Sequence, residues 1–258
     1  MDGQLRDKVA SGVAWSMAEK VGTMLLQLAV SLTILRLLNP AIMGVIAIPT
    51  AFLAVAIVIA DSGFSQALIR KGTPTADDYK SVFAFNVGVA LVLYGVLVAL
   101  AGSIALFYDM PEITRIAPVF FLQLPLSAAC AIQNTIFVRT FRFALLSKVT
   151  FASWFIAGMV AIGLALAGFG IWCIVVQRVL QASVRALLLW WLSDWRPCGK
   201  CSRRPLREMA PYSFSLLATD FISTLYNKVP QIFLGKLYPQ ETCLLYTSPS
   251  PRDTERSR

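Results

Sequence analysis

Long apolar runs, separated by short polar segments, dominate the chain. Seven of them are long enough to cross a bilayer as an α-helix, for which about 20 mostly apolar residues are needed. The pattern predicts an all-α fold, a polytopic bundle of transmembrane helices. The predicted spans are residues 14–38, 41–61, 81–107, 116–137, 149–168, 171–192 and 212–236.

The connections between these spans indicate how the bundle is arranged. Asn39-Pro40 separates the first two spans, and residues 168–170, Gly-Phe-Gly, separate the fifth and sixth. Links this short make consecutive helices antiparallel neighbours.

Basic loop residues gather on one side of the predicted bundle, which in membrane proteins is the cytoplasmic side. The other side carries Arg115, with Lys236 at the end of a span. The N-terminus is therefore predicted to be cytoplasmic. The loop residues on the basic side are Arg6, Lys8, Arg70, Lys71, Lys80, Arg139, Arg142, Lys148, Arg196, Lys200, Arg203, Arg204 and Arg207.

Composition agrees with lipid as the main solvent. Of 258 residues, 57% are hydrophobic and 14% are charged, whereas a soluble domain has about 25% charged residues. The net charge of +9 is explained by the loops, so no nucleic-acid partner is expected. Because the chain has no His, it lacks the commonest general base and transition-metal ligand. No catalytic residue, metal or cofactor is predicted, since Cys198 and Cys201 form a lone CxxC and a structural zinc site needs four ligands.

The end of the last span repeats the end of the first. In Leu35–Pro40 and in Gly235–Pro239, a long apolar helix ends in a basic residue that is followed by Pro. Internal repeats are the usual construction of secondary transporters, so we predict a six-helix lobe over residues 1–211 and the first helix of a second lobe over 212–242. The segment 243–258 begins CLLYTSPSPRD, resembles a translated sequencing adapter, and is predicted to be non-native.

Four stretches carry a family resemblance. They are LRLLNPAIMG (Leu35–Gly44), DSGFSQALIRKGTPTADDYKSVFAFN (Asp61–Asn86), FVRTFRFALLSKVTF (Phe137–Phe151) and GFGIWCIVVQRVLQASVRALLLWWLSDWRP (Gly168–Pro197). Together they resemble the Wzx-type polysaccharide flippases of the multidrug/oligosaccharidyl-lipid/polysaccharide (MOP) exporter superfamily. The resemblance implies a transporter, not an enzyme, that flips undecaprenyl-diphosphate-linked oligosaccharide across the bacterial inner membrane for lipopolysaccharide (O-antigen) or exopolysaccharide biosynthesis. Its partners would be this lipid-linked substrate, membrane lipid and the polysaccharide polymerase machinery.

Charged residues inside the spans are costly in lipid and usually face a protein interior or a cavity. A flippase of this type must carry a diphosphate through a region of low dielectric constant, where cationic side chains supply the counter-charge. We therefore expect Lys20, Arg178 and Lys228 to line the substrate cavity, the alternative being that each pairs with a neighbouring carboxylate or carbonyl. Arg185 is near enough to a span end to snorkel to the interface. Secondary candidates are Glu19, Asp220, Gln27, Gln123 and Asn134.

The segment after the second span has a pattern of its own. Gly63 permits a turn, apolar residues recur at helical spacing from Phe64 to Leu68, and Arg70 and Lys71 follow. This predicts a short amphipathic helix at the cytoplasmic interface. Arg70 and Lys71 would then be interfacial residues that anchor the helix or meet the headgroup of a lipid-linked substrate.

Other functions remain open for such a bundle. A multidrug or metabolite exporter of the same superfamily would favour an acidic, cation-binding cavity, whereas the intramembrane charges here lean basic. A membrane-embedded glycosyltransferase or glycan ligase would need a large extramembrane loop or clustered catalytic residues, and neither stands out. The chain as it stands is also expected to be inactive if it is half of a two-lobed transporter.

Overall fold

The computed structural model describes residues 20–237 with gaps at 35, 38–39, 62, 198 and 200–201, and it describes side chains in this range outside 40–43 and 229–237. The described residues form α-helices and short turns without a strand, which confirms the predicted all-α class. Glu19 and segment 243–258 lie outside the described residues. The helices are α1 Lys20–Ile34, α2 Pro40–Asp61, α3 Phe64–Arg70, α4 Ala76–Tyr108, α5 Glu112–Phe120, α6 Gln123–Arg139, α7 Phe143–Leu166, α8 Trp172–Leu192 and α9 Arg203–Leu237.

Five helical segments in the described part of the chain are long and apolar enough to cross a membrane, and they match five of the seven predicted spans. They are Gly44–Asp61, Ala76–Tyr108, Glu112–Arg139, Phe143–Leu166 and Trp172–Leu192. The described part of the first predicted span, α1, is apolar but shorter. The seventh predicted span lies within α9, which is long but is not among the five. Polar residues, including Asp220 and Lys228, interrupt its apolar positions.

The fourth predicted span, 116–137, contains a break after Phe120 that divides it into α5 and α6. Pro125 explains the break, because it has no N–H for the carbonyl of Phe121 and its ring clashes with that carbonyl. The carbonyl of Phe121 instead accepts the N–H of Leu124 at 2.9 Å. The two helices still form one apolar segment of spanning length.

Local capping decides where α3 and α4 begin. Gly63 has φ of 70°, which confirms the predicted turn, and Phe64 and Leu68 of α3 are buried. α4 begins before its predicted start at residue 81, because Thr75 and Asp78 form a capping box. The Thr75 hydroxyl accepts the Asp78 N–H at 3.3 Å, and the Asp78 carboxylate accepts the Thr75 N–H at 2.8 Å.

The core and the outer surface are both apolar. Phe120, Phe121 and Leu124 are almost fully buried at the centre of a core that includes residues of α2, α4, α7 and α8. Large apolar side chains also point outward: Leu106 is 85% exposed and Trp191 is 79% exposed. A soluble protein rarely exposes contiguous apolar surface of this kind, whereas a membrane bundle presents it to lipid.

Candidate functional site

Two cavities in the described part of the chain contain predicted site residues. The first, called here the α1–α8 cavity, lies between α1, α7 and α8 and has a volume of about 380 Å³. It brings together Gln27 and Arg178, which both belong to the predicted set. Its lining is Met24, Gln27, Leu28, Ser31, Ile34, Trp154, Ile174, Gln177 and Arg178.

Helical spacing places the polar groups of the α1–α8 cavity. Gln27 and Ser31 are one turn apart and therefore share a face of α1. Ile174, Gln177 and Arg178 share a face of α8 for the same reason. Each helix thus contributes at least one side-chain amide to the cavity, and α8 adds a positive charge.

Arg178 is the charged group of this cavity. Its guanidinium carbon lies 5.6 Å from the centre of the Trp154 ring, within the range of a cation–π interaction. Among the described residues, Arg178 has no ion pair with a carboxylate. A lone arginine at the centre of a bilayer costs at least about 2.5–3.5 kcal/mol. Because the guanidinium fork binds phosphate or carboxylate in bidentate fashion, an anion from outside the chain would complete the site.

Four predicted residues, Lys20, Gln123, Asp220 and Lys228, lie outside the lining of both cavities. Lys20 is exposed at the start of α1, Lys228 is half-buried on α9, and Asp220 is exposed on the same helix. The amide of Gln123 donates to the carbonyl of Phe120 at 2.7 Å, across the break between α5 and α6. The structure therefore does not bring Lys20, Arg178 and Lys228 into one cavity.

The second cavity, called here the polar pocket, has a volume of about 320 Å³ and lies among α2, α3, α4, α6 and α8. It contains the predicted Asn134, whose side-chain oxygen accepts a hydrogen bond from Arg185 at 3.3 Å. Arg185 therefore turns towards Asn134 and not outward to the interface. The lining is Ile57, Ala60, Asp61, Ser65, Gln66, Ile69, Asn86, Ser127, Ala128, Cys130, Ala131, Asn134, Thr135 and Arg185.

Asp61, Asn86 and Arg185 are lining residues that sequence reasoning did not select. Each is a polar residue in an otherwise apolar span, and this pattern is the signal in the sequence that could have selected it as a site residue. Its weakness is that a polar residue in a span more often bonds to a neighbouring helix than to a ligand. Only the rotation of the helices shows that these three side chains line one pocket.

The predicted interfacial residues of α3 make contacts within the protein. The Arg70 guanidinium carbon lies 4.6 Å from the centre of the Tyr212 ring of α9. The Lys71 ammonium lies 2.8 Å from the Asp78 carboxylate of α4 and 3.8 Å from that of Glu208 of α9. Their charges therefore join α3 to α4 and α9, in addition to any contact with lipid headgroups.

Arg139, at the end of α6, caps the C-terminus of α3. Its guanidinium donates to the carbonyls of Leu68 at 2.5 Å, Ile69 at 2.9 Å, Lys71 at 2.6 Å and Gly72 at 3.0 Å. The last carbonyls of a helix have no partner within it, and cations near this end are stabilising. In the sequence, Arg139 was only one of many basic loop residues.

Comparison with known proteins agrees with the sequence resemblance. The profile of the family described as polysaccharide biosynthesis protein matches residues 33–249. The succinoglycan biosynthesis transport protein ExoT of Rhizobium meliloti is 24% identical over 228 residues, which cover 88% of this chain and 46% of that protein. The teichuronic acid biosynthesis protein TuaB of Bacillus subtilis is 23% identical over 195 residues, covering 73% of this chain and 40% of that protein.

A further relative is the amylovoran biosynthesis protein AmsL of Erwinia amylovora, 20% identical over 186 residues, which cover 71% of this chain and 48% of that protein. The chain thus spans about half the length of the curated relatives it matches. No solved structure matches it. The family profile covers most of the chain, and five helical segments in its described part are apolar and long enough to span a bilayer. The chain therefore belongs to the family of polysaccharide biosynthesis proteins and is embedded in a membrane.

Proposed function

We propose that the chain is part of a flippase that moves lipid-linked oligosaccharide, an undecaprenyl-diphosphate glycan, across the bacterial inner membrane. The glycan would serve lipopolysaccharide or exopolysaccharide biosynthesis, and its covalent bonds would not change during transport. The relatives' names support this proposal, because one is called a succinoglycan biosynthesis transport protein and two others are named for the biosynthesis of other polysaccharides.

The observation that carries the proposal is Arg178 in the α1–α8 cavity, without a carboxylate partner among the described residues. At about 4 Å and an effective dielectric constant of about 20, an arginine and an anion attract each other by about 4 kcal/mol. This exceeds the roughly 2.5–3.5 kcal/mol that a lone arginine costs at the bilayer centre on insertion scales. A diphosphate beside Arg178 would therefore offset the cost of the arginine charge, while Gln27, Ser31 and Gln177 bind sugar hydroxyls.

The proposed orientation has a cytoplasmic N-terminus. It is supported by contacts that place several basic segments at one end of the bundle. Arg139 at the end of α6 binds α3, which follows the end of α2. Lys80 near the start of α4 donates to the carbonyl of Gly199, in the loop after α8, at 2.6 Å. Basic residues concentrated at one end indicate the cytoplasmic side.

In the proposed organisation, residues 1–211 form a lobe of six membrane spans, one of which is α5 together with α6. Residues 212–242 hold the first span of a second lobe, within α9, which begins at Arg203. The lipid-linked glycan would enter between the lobes from the cytoplasmic leaflet and leave to the outer leaflet as the lobes rock. The polymerase machinery would receive it there. The helix α9, with polar residues along its predicted span, suits a position against such a pathway better than one against lipid.

Binding of an undecaprenyl-diphosphate-linked sugar to the purified chain in nanodiscs tests the proposal. A lost charge-assisted hydrogen bond is worth about 1.5–3 kcal/mol, so Arg178→Ala should weaken binding by about 10–150-fold. Arg178→Lys keeps the charge but not the fork and should weaken it less. Arg115→Ala removes an exposed arginine of α5 and serves as the matched control.

A neutral polyprenol should bind the wild-type chain and Arg178→Ala equally, because it has no phosphate for the guanidinium. Wild-type affinity of Arg178→Ala for the diphosphate-linked sugar would reject the assignment of this cavity. Equal losses in Arg178→Ala and Arg115→Ala would reject it too, since the effect would then reflect only net charge.

A further inference from the structure

The polar pocket contains buried polar atoms that have no hydrogen-bond partner among the residues the structure describes. Asn86 is fully buried, and neither atom of its amide has a hydrogen-bond partner among the described residues. The Nε atom of Arg185 is also buried and also has no hydrogen-bond partner among the described residues. Buried polar side chains are almost always hydrogen-bonded, so such groups around one cavity indicate an occupant that supplies the missing partners.

The charges of the pocket are separated. Asp61 and Arg185 both line it, but no ion pair joins them in the described part of the chain. The Asp61 carboxylate accepts the Ser65 hydroxyl at 2.5 Å, and Arg185 donates to Asn134. An occupant of the pocket therefore meets an acceptor, Asp61, as well as donors from Asn86 and Arg185.

This pattern selects the chemistry of the occupant. A bare cation would face the Arg185 charge, and the described residues contain no group of three or more His, Cys, Asp or Glu that could hold a metal ion. A bare anion would face the Asp61 carboxylate. A hydrocarbon chain would leave Asn86 and Arg185 unsatisfied. A polyhydroxyl ring can donate to Asp61 and accept from Asn86 and Arg185, because each hydroxyl both donates and accepts.

The size of the pocket is sufficient for one sugar ring. Ligand pockets measure roughly 300–1,000 Å³, and about 320 Å³ is at the small end of that range. The pocket also has apolar positions, such as Ile57, Ala60 and Ala128, that suit the C–H faces of a sugar. Gln66 of α3 lies at its exposed edge.

We propose that the polar pocket binds a single sugar ring, with Asp61, Asn86 and Arg185 as the groups that recognise its hydroxyls. The inference rests on the proposed function, because the glycan of the lipid-linked substrate would supply the ring. It adds a second binding site to the α1–α8 cavity: the polar pocket would bind one ring of the glycan, whereas Arg178 of the α1–α8 cavity would bind the diphosphate. A free sugar would offer the same hydroxyls as the ring of a lipid-linked glycan, and a competition experiment separates these two sources of the ring.

Saturation-transfer NMR on the purified full chain in phosphatidylcholine nanodiscs measures binding of single rings directly. The probes are methyl α-D-glucopyranoside, N-acetyl-D-glucosamine and D-glucuronate at millimolar concentrations. At least one should bind the wild-type chain. Asn86→Leu and Arg185→Met should each weaken that binding by about tenfold or more. Thr150→Val is the matched control, because the Thr150 hydroxyl donates to the Leu146 carbonyl of its own helix and lines neither cavity.

Thermal unfolding separates a ligand-binding role of Asn86 from a structural one. Since its amide has no partner in the described part of the chain, Asn86→Leu should unfold at the same or a higher temperature than the wild-type chain. A lower unfolding temperature for Asn86→Leu would indicate a structural role and would overturn the proposal. The proposal would also be overturned if Asn86→Leu bound every ring as tightly as the wild-type chain does, or if the wild-type chain bound no ring.

Two further arms identify the source of the ligand. If an undecaprenyl-diphosphate-linked sugar displaces the bound ring and undecaprenyl diphosphate alone does not, the source of the ring is the lipid-linked glycan. Ring binding without that competition points to a free sugar and removes the pocket from the transport path. Displacement of the ring by phosphoethanolamine would assign the pocket to a lipid headgroup and overturn the proposal. If Arg178→Ala weakens diphosphate binding while no ring binds, only this inference fails.

Discussion

Arg139 is predicted to hold α3 in place, and its removal should release that helix without unfolding the bundle. Loss of a hydrogen bond to a charged group costs about 1.5–3 kcal/mol. The four carbonyls share one guanidinium, and water can replace some of the bonds because Arg139 is only half-buried. The four bonds therefore do not add, and we expect Arg139→Ala to destabilise α3 locally by about 2–4 kcal/mol.

Hydrogen–deuterium exchange of the α3 amides measures this opening. A loss of about 2–4 kcal/mol accelerates their exchange by about 30–700-fold. The amides of Ala67 and Lys71, which bond to the carbonyls of Gly63 and Ala67 at 3.0 Å, are the reporters. Exchange in α7 should not change.

Arg142→Ala is the matched control, since Arg142 is an exposed arginine close to Arg139 in the chain. It should leave exchange in α3 at the wild-type rate. In Arg139→Lys, the exchange rate of the α3 amides should lie between those of the wild-type chain and Arg139→Ala, because an ammonium group is a point charge that cannot reproduce the guanidinium fork. If Arg139→Ala and Arg142→Ala accelerate exchange equally, or if neither does, the capping role of Arg139 is refuted.

Three further substitutions test helix packing and helix capping by thermal unfolding in detergent. Gly158→Ala would place its Cβ 2.8 Å from the Val30 side chain, where α7 meets α1. Overpacking of this kind costs about 1–3 kcal/mol, so the unfolding temperature should fall. An unchanged unfolding temperature would show that α1 and α7 can move apart without cost. Gly63→Ala combines a φ of 70° with a Cβ 2.7 Å from the Ser213 carbonyl oxygen, so it should cost more than the roughly 1–2 kcal/mol of the left-handed conformation alone. Asp78→Ala removes a capping box and an ion pair and should cost about 1–3 kcal/mol, whereas Asp77→Ala should cost less.

Features set by local residue chemistry could be predicted from the sequence. The apolar runs predict the five apolar spanning segments of the described part of the chain, because length and hydropathy suffice to identify a membrane span. Gly63 was predicted to turn the chain because a glycine adopts positive φ at little cost. The start of α4 was missed, although the Thr75 and Asp78 capping box is written in the sequence.

Features set by packing could not be predicted in this way. Pro125 lies inside the fourth predicted span, but whether a proline kinks or breaks a helix depends on its neighbours. The separation of Arg178 from Lys20 and Lys228 depends on how α1, α8 and α9 are rotated. The polar pocket depends on the same rotations, since Asp61, Asn86 and Arg185 come from three different helices.

The measurement that tests the central claim most directly is polysaccharide export in the bacterium that carries the gene. Arg178→Ala should abolish surface polysaccharide and accumulate undecaprenyl-diphosphate-linked glycan in the inner leaflet, with the amount of inserted protein unchanged. Arg178→Lys should restore part of the export, and Arg115→Ala should export normally. Normal export by Arg178→Ala, without accumulation of the lipid-linked glycan, would contradict the account.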